Sequence, residues 1–338
     1  MQEKSMHGGS DSGPPIPHDF SSNASPLGPP PALLDALLGA ERGRYPDPHY
    51  LALRETLAAA HGLAPERVLP SAGGSEAIRR LSLAAQLAGL CQVWVPQPGY
   101  GDYAAAALAL GLQVRGYASV AELAAGLSGP ALVWVCEPCN PTGASLDTHD
   151  WTQLGAALRA SAAQLAIDQA YEPLRLEGQT SLPPALAEQA WRLQGPNKAL
   201  GLTGVRAGYL LAPASGRWLS AMQDLAPSWV LSGEGCALLS HWHSPATQAY
   251  LRDARARLLA WRAAQRELLA ELGWRQRPSC SNFWLTLPPA ELPLPALRAR
   301  GIKLRDAGSF GLTGWLRVST QSPAAQQALR LALKELMP

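Results

Sequence analysis

The chain has 338 residues, of which 47% are hydrophobic and 16% charged, and its 28 Lys and Arg against 26 Asp and Glu leave a formal net charge of +2. That apolar content builds a sizeable core and excludes a disordered, fibrous or disulfide-stapled chain. The near-neutral balance excludes a polybasic nucleic-acid or membrane surface, and no run of about 18 apolar residues offers a membrane span.

Residues 1–30 read as an extended arm, because Pro14, Pro15, Pro17, Pro26 and Pro29–Pro31 forbid continuous helix. The first residues hold no apolar signal segment, so a reduced, cytoplasmic setting is expected. From Pro31 onward, helix-like segments at 31–40, 49–61, 75–88, 101–111 and 150–162 alternate with short apolar runs at 91–95, 112–115, 131–136, 164–168 and 205–211. Alternation of this kind predicts an α/β fold with a mostly parallel central sheet covered by helices on both faces. After about Pro227 the pattern changes. A long amphipathic helix at 248–272, strands at 282–287, 301–305 and 315–319, and a terminal helix predict a smaller α+β domain. The expected division is an arm at 1–44, packing with the small domain and the site, a large domain at 45–226, and a small domain at 227–338.

The five cysteines are scattered. Cys136 and Cys139 have the spacing of a zinc or redox pair, but no second Cys/His pair follows and prolines interrupt them, so two small residues at a strand end is the favoured reading and no metal is expected.

In parallel sheets, functional groups gather past the carboxyl ends of strands. Gly73-Gly-Ser75-Glu76 opens a helix and makes an anion seat from free backbone N–H groups; a plain turn is the alternative. Asn140-Pro-Thr-Gly143 fixes a tight turn past one strand, with a ligand-free turn an equal reading. Asp168 ends the next strand, where a carboxylate needs a partner such as a cationic ring nitrogen, and Tyr171 follows it. Lys198 lies in a glycine-rich loop with Arg206, and it is one of only four lysines, the others being Lys4, Lys303 and Lys334. A lone lysine in an otherwise uncharged loop suits a Schiff-base amine, and Arg206 suits a phosphate.

In this order, the Gly74-Ser75-Glu76 seat, Tyr100 after Pro98-Gly99, Asn140-Pro-Thr-Gly, Asp168 with Tyr171, and Lys198 with Arg206 resemble the fold-type I pyridoxal-phosphate enzymes almost end to end. The resemblance implies pyridoxal 5'-phosphate (PLP) as cofactor, Lys198 as its Schiff-base residue and Asp168 as partner of the pyridinium. It further implies Tyr100 stacked on the ring, Asn140 and Tyr171 at the phenolic oxygen, and Gly74, Ser75, Glu76, Asn197 and Arg206 around the phosphate. Tyr45 would reach that phosphate across a homodimer interface. Gly195 and Asn197 stand where the family usually has serines.

Within the family, His7-Gly-Gly, Asp19-Phe-Ser-Ser-Asn23 and Pro26-Leu-Gly-Pro are similar to the opening of the threonine-phosphate decarboxylases of cobalamin biosynthesis. Histidinol-phosphate aminotransferases are their near relatives. The expected reaction is therefore decarboxylation of L-threonine O-3-phosphate, with a histidinol-phosphate-type transamination as alternative. Arg317 would grip the substrate carboxylate, and His7, Asn23 and Arg305 its phosphate. A non-catalytic regulator of this fold would carry a DNA-binding unit, for which the arm is too short.

Overall fold

The computed structural model describes residues 8–336. Its strands, in chain order, are β1 His18–Asp19, β2 Val68–Ser71, β3 Gln92–Pro96, β4 Gln113–Tyr117, β5 Leu132–Cys136, β6 Gln164–Asp168, β7 Trp191–Gln194, β8 Gly208–Leu211, β9 Arg275–Gln276, β10 Phe283–Leu287, β11 Ile302–Lys303, β12 Arg305–Asp306 and β13 Leu316–Ser319. Every residue of β5 and β6 is buried, as continuous apolar runs demand when helices cover both faces of a sheet. These two strands lie in a seven-stranded sheet of order β2-β8-β7-β6-β5-β3-β4, in which β8 alone runs antiparallel to its neighbours. Trp134, Trp151 and Trp191, all fully buried, pack the two faces.

The expected helices form at Pro31–Leu38, Leu51–His61, Gly74–Leu87, Gly101–Ala109 and Thr148–Ser161. The long helix runs Pro245–Glu271. It starts earlier than its hydrophobic stripe suggests because Ser244 accepts the Thr247 N–H and Pro245 occupies the first turn. Strand β7 lies outside the expected set. Its Trp-Arg-Leu-Gln sequence is short and half polar, yet Trp191 and Leu193 are buried. The last apolar run was expected over 205–211, but only Gly208–Leu211 is strand; 205–207 belong to the preceding loop.

The smaller sheet has the order β12-β13-β10-β9 and is antiparallel throughout. The arm is not loose chain. β1 pairs in parallel with β11, Phe20 is fully buried, and Ser319 N donates to Phe20 O at 2.9 Å. Asp11 fixes the segment before it by accepting from Arg298 Nη2 at 2.8 Å and Lys303 Nζ at 2.9 Å. The arm then passes Lys198, whose carbonyl accepts the Ser25 N–H at 2.8 Å.

Candidate active site

Register brings the chemistry together. Cys136 pairs with Asp168, and Asp168 with Leu193, so the loops leaving β5, β6 and β7 emerge side by side at one edge of the sheet. They enclose two adjoining chambers with cavity volumes of about 140 and 150 Å³. Tyr100, Asn140, Tyr171 and Lys198 line both, and so form the wall between them.

The first chamber is also lined by Gly74, Ser75, Asp168, Asn197 and Arg206. Gly73 takes φ +89° at the start of the helix, which leaves the N–H groups of the following turn directed outward. Arg206 lies over Gly73, and a Cβ added there would sit 2.7 Å from its Nη2. Ser75 Oγ donates to Asp102 Oδ2 at 2.6 Å, and the Tyr100 hydroxyl donates to the same oxygen at 2.7 Å. At the opposite end, Asp168 accepts from Ala170 N at 2.9 Å and from the Tyr103 hydroxyl at 2.7 Å. Burial raises the Asp168 carboxyl above its ordinary range, against those two donors. A cationic ring nitrogen placed beside it would reverse that balance and hold the carboxylate ionised. Burial also pulls the Lys198 ammonium down to about 8, reinforced by Arg317 and Arg206 and opposed by Asp168. This donor set fits PLP: a helix start and an arginine for phosphate, a buried acid for the ring nitrogen, and a readily deprotonated lysine between them.

The second chamber is built by the arm (Gly8, Ser21, Ser22, Asn23) and the small sheet (Arg305, Ser309, Phe310, Arg317). Arg305 and Arg317 are directly opposed cross-strand partners, each 5% exposed. Arg305 donates to Ser309 Oγ at 2.7 Å, and Arg317 donates to Asn140 Oδ1 at 2.6 Å and to Ser21 O at 2.5 Å. Burial, with Arg305 alongside and Tyr171 opposing, lowers Arg317 to about 10. The Tyr171 phenol is pushed up to about 12 by burial, eased by Arg317 and Asn23.

Two expected residues lie elsewhere. Glu76 was expected in the phosphate seat, but its carboxylate turns back from the chamber to accept from Ala72 N at 3.2 Å and Arg80 Nη2 at 3.1 Å. The buried Arg80 draws it inward. Tyr45 is 75% exposed and stacks on Trp229 at 4.1 Å, away from both chambers of its own chain. His7 lies outside the described residues. Sequence reasoning missed Tyr103 and Asp102, which orient Asp168 and Ser75. Both sit in the first turn of the helix after Tyr100, where polar side chains among alanines were the available signal.

Among the described residues no cluster of three or more His, Cys, Asp or Glu could hold a metal, and no helix is long and apolar enough to cross a membrane. The family described as aminotransferase class I and II matches residues 16–334. The histidinol-phosphate aminotransferase of Rhodospirillum rubrum is 30% identical over 94% of this chain and 89% of its own. Histidinol-phosphate aminotransferase 2 of Caulobacter vibrioides is 30% identical over 93% and 85%. Among solved structures, the histidinol-phosphate aminotransferase of Sinorhizobium meliloti in complex with PLP has a TM-score of 0.77 at 23% identity, covering 95% of this chain and 91% of that one. The L-threonine-O-3-phosphate decarboxylase of Porphyromonas gingivalis has a TM-score of 0.78 at 20% identity, covering 94% and 98%. The chain belongs to the class I and II aminotransferases and is a PLP-dependent enzyme of fold type I.

Proposed function

We propose that the enzyme decarboxylates L-threonine O-3-phosphate. The observation that carries this reading is the opposed pair Arg305 and Arg317, both buried and facing one chamber with Lys198. Like charges directly opposite each other destabilise a sheet, and a ligand with two anionic ends relieves that repulsion. Threonine phosphate has two such ends, a carboxylate and a phosphate, on a short carbon chain. The arm motif Asp19-Phe-Ser-Ser-Asn23 contributes backbone and side chains to the same chamber and supports the same reading.

Bound PLP would supply the electron sink that makes a bond at the substrate Cα labile. Asp168 would keep the ring nitrogen protonated. Asn140 and Tyr171 would donate to the phenolic oxygen, and Tyr100 would stack on the ring. The N–H groups of Gly74 and Ser75, with Asn197 and Arg206, would hold the cofactor phosphate. Arg317 would take the substrate carboxylate, and Arg305 with Asn23 the substrate phosphate. The bond from Cα to the carboxylate breaks, carbon dioxide leaves, and Lys198 returns a proton to Cα, giving 1-amino-2-propanol phosphate. We also propose a homodimer that brings Tyr45 of each chain to the other's cofactor phosphate. Sedimentation at twice the chain mass is the expected result, and a monomer with full activity would overturn it.

The names of the curated relatives favour a second reading, transamination of histidinol phosphate. That substrate has a phosphate but no carboxylate, so it engages one arginine of the pair. Loaded enzyme given carboxyl-labelled L-threonine O-3-phosphate should release labelled carbon dioxide without a keto-acid acceptor. Turnover of histidinol phosphate with 2-oxoglutarate, and no release of carbon dioxide, would establish the second reading instead.

A further inference from the structure

Glu137, the first residue past β5, is fully buried. An isolated carboxylate there would cost several kcal/mol. Three donors meet it: Arg175 Nη2 at 2.6 Å, Leu146 N at 3.0 Å and the Ser145 hydroxyl. Arg175 directs its other donors to Glu172 (Nε at 3.0 Å to both oxygens), to Ser145 Oγ at 3.2 Å and to Cys280 Sγ at 3.2 Å. Backbone bonds follow the same route, from Leu176 N to Cys280 O at 2.7 Å and from Cys280 N to Gly143 O at 2.9 Å. One guanidinium thus ties together the loop that carries Asn140, the turn that begins at Tyr171, and the strand entry whose Phe283 ring packs on Tyr171 at 4.8 Å. Neither Glu137 nor Arg175 lines a chamber.

A buried ion pair is weak evidence for stability, because well-packed apolar residues do as well in its place. Its distinctive product is fixed geometry. Asn140 needs this, because its side-chain oxygen is held by Arg317, the residue assigned to the substrate carboxylate. When a substrate anion takes Arg317, the loop alone aims the Asn140 amide, and that loop rests on Glu137.

We infer that the Glu137–Arg175 pair is a positioning device that holds Asn140 and Tyr171 against the bound cofactor. The inference rests on the proposed placement of those two donors at the phenolic oxygen.

The test is a pH titration of the visible absorption band of the PLP-loaded enzyme and of its Glu137→Gln and Arg175→Lys variants. Two aimed donors stabilise the phenolate and lower the midpoint, so loosening them raises it, by about 0.5–1 pH unit. Loss of the Glu137 charge acting through space would move the midpoint down, and Arg175→Lys keeps its charge, so an upward shift in both variants identifies positioning. A fall in kcat larger than the rise in KM is expected alongside, because Arg317 is untouched. Arg67→Lys, at an ion pair with Glu188 remote from the chambers, should leave the midpoint unchanged even if Tm falls. Lower Tm with an unmoved midpoint in the pair variants would overturn the inference. If Arg175→Lys does not fold, Glu137→Gln decides; if neither folds, the pair belongs to the core and the inference fails. Asn140→Ala serves as reference. A shift there without one in the pair variants overturns the pair alone, whereas no shift in any of them overturns the placement of Asn140.

Discussion

Lys198, proposed as the Schiff-base amine, stands in a setting that the sequence could not supply. Its ammonium is brought down to about 8 by burial, with Arg317 and Arg206 beside it. In the proposed role the free amine is the nucleophile, scarce below that value and abundant above it. Reloading of cofactor-free enzyme with PLP, followed by the visible band, should therefore quicken about tenfold between pH 7 and pH 9 and then level off. Removing a neighbouring cation lets the lysine keep its proton more easily, so Arg317→Ala should move that midpoint upward. A loading rate flat across this range would contradict the assignment. The residue most visible in the sequence, a lysine among arginines, was legible because glycine lined its loop and no other charge except Arg206 stood nearby. Arg175 was not legible, because a buried guanidinium and a solvated surface arginine are written with the same letter.

At the scale of elements, the phosphate seat depends on one backbone conformation. Gly73 sits at φ +89°, and an added Cβ would meet Arg206 Nη2 at 2.7 Å. Gly73→Ala should cost about 1–3 kcal/mol of stability through the strained φ. Displacing Arg206 should also weaken PLP binding by about tenfold to a hundredfold, the worth of one charge-assisted hydrogen bond. Far-ultraviolet circular dichroism should stay unchanged, since the helix Gly74–Leu87 begins after the substituted residue; unaltered PLP affinity would contradict the seat. Strands β5 and β6 were readable as uninterrupted apolar runs, and Asn140 and Asp168 followed from their ends. Strand β7 was not readable, because its only apolar residues are Trp191 and Leu193. A sheet interior supplied by neighbouring strands can recruit a segment whose own sequence does not announce one.

For the whole molecule, a polar cluster links residues far apart in the sequence, His61, Tyr209 and His243, none of which lines either chamber. The Tyr209 hydroxyl lies 2.8 Å from His61 Nε2 and 3.0 Å from His243 Nε2, so it can donate to one ring and accept from the other only while both rings are not fully protonated. Burial, with His243 and Arg192 beside it, holds the His61 imidazole down to about 4, and burial lowers His243 as well. Both folded values lie below the unfolded one near 6.5, so the unfolded chain takes up protons first. The stabilisation is complete above about pH 6.5 and is lost as pH falls toward 4. Thermal unfolding should therefore show Tm declining between pH 7 and pH 5, with a shallower decline in His61→Gln; equal slopes would remove the cluster from the account. The arm's place was only half legible at this scale. Its prolines announced extended chain, but its pairing with β11 and its entry into the second chamber depend on contacts about 280 residues away in sequence.

Because Lys198 stands on the wall shared by both chambers, any proton it returns to the substrate carbon arrives from a single side. In the proposed decarboxylation that carbon would become a CH₂ group, with its two hydrogens distinguishable by origin. In deuterium oxide the product should contain one deuterium at that carbon in one configuration, which is measurable by proton magnetic resonance after chiral derivatisation. An equal mixture of the two configurations would mean that bulk solvent, and not the lysine, completes the reaction.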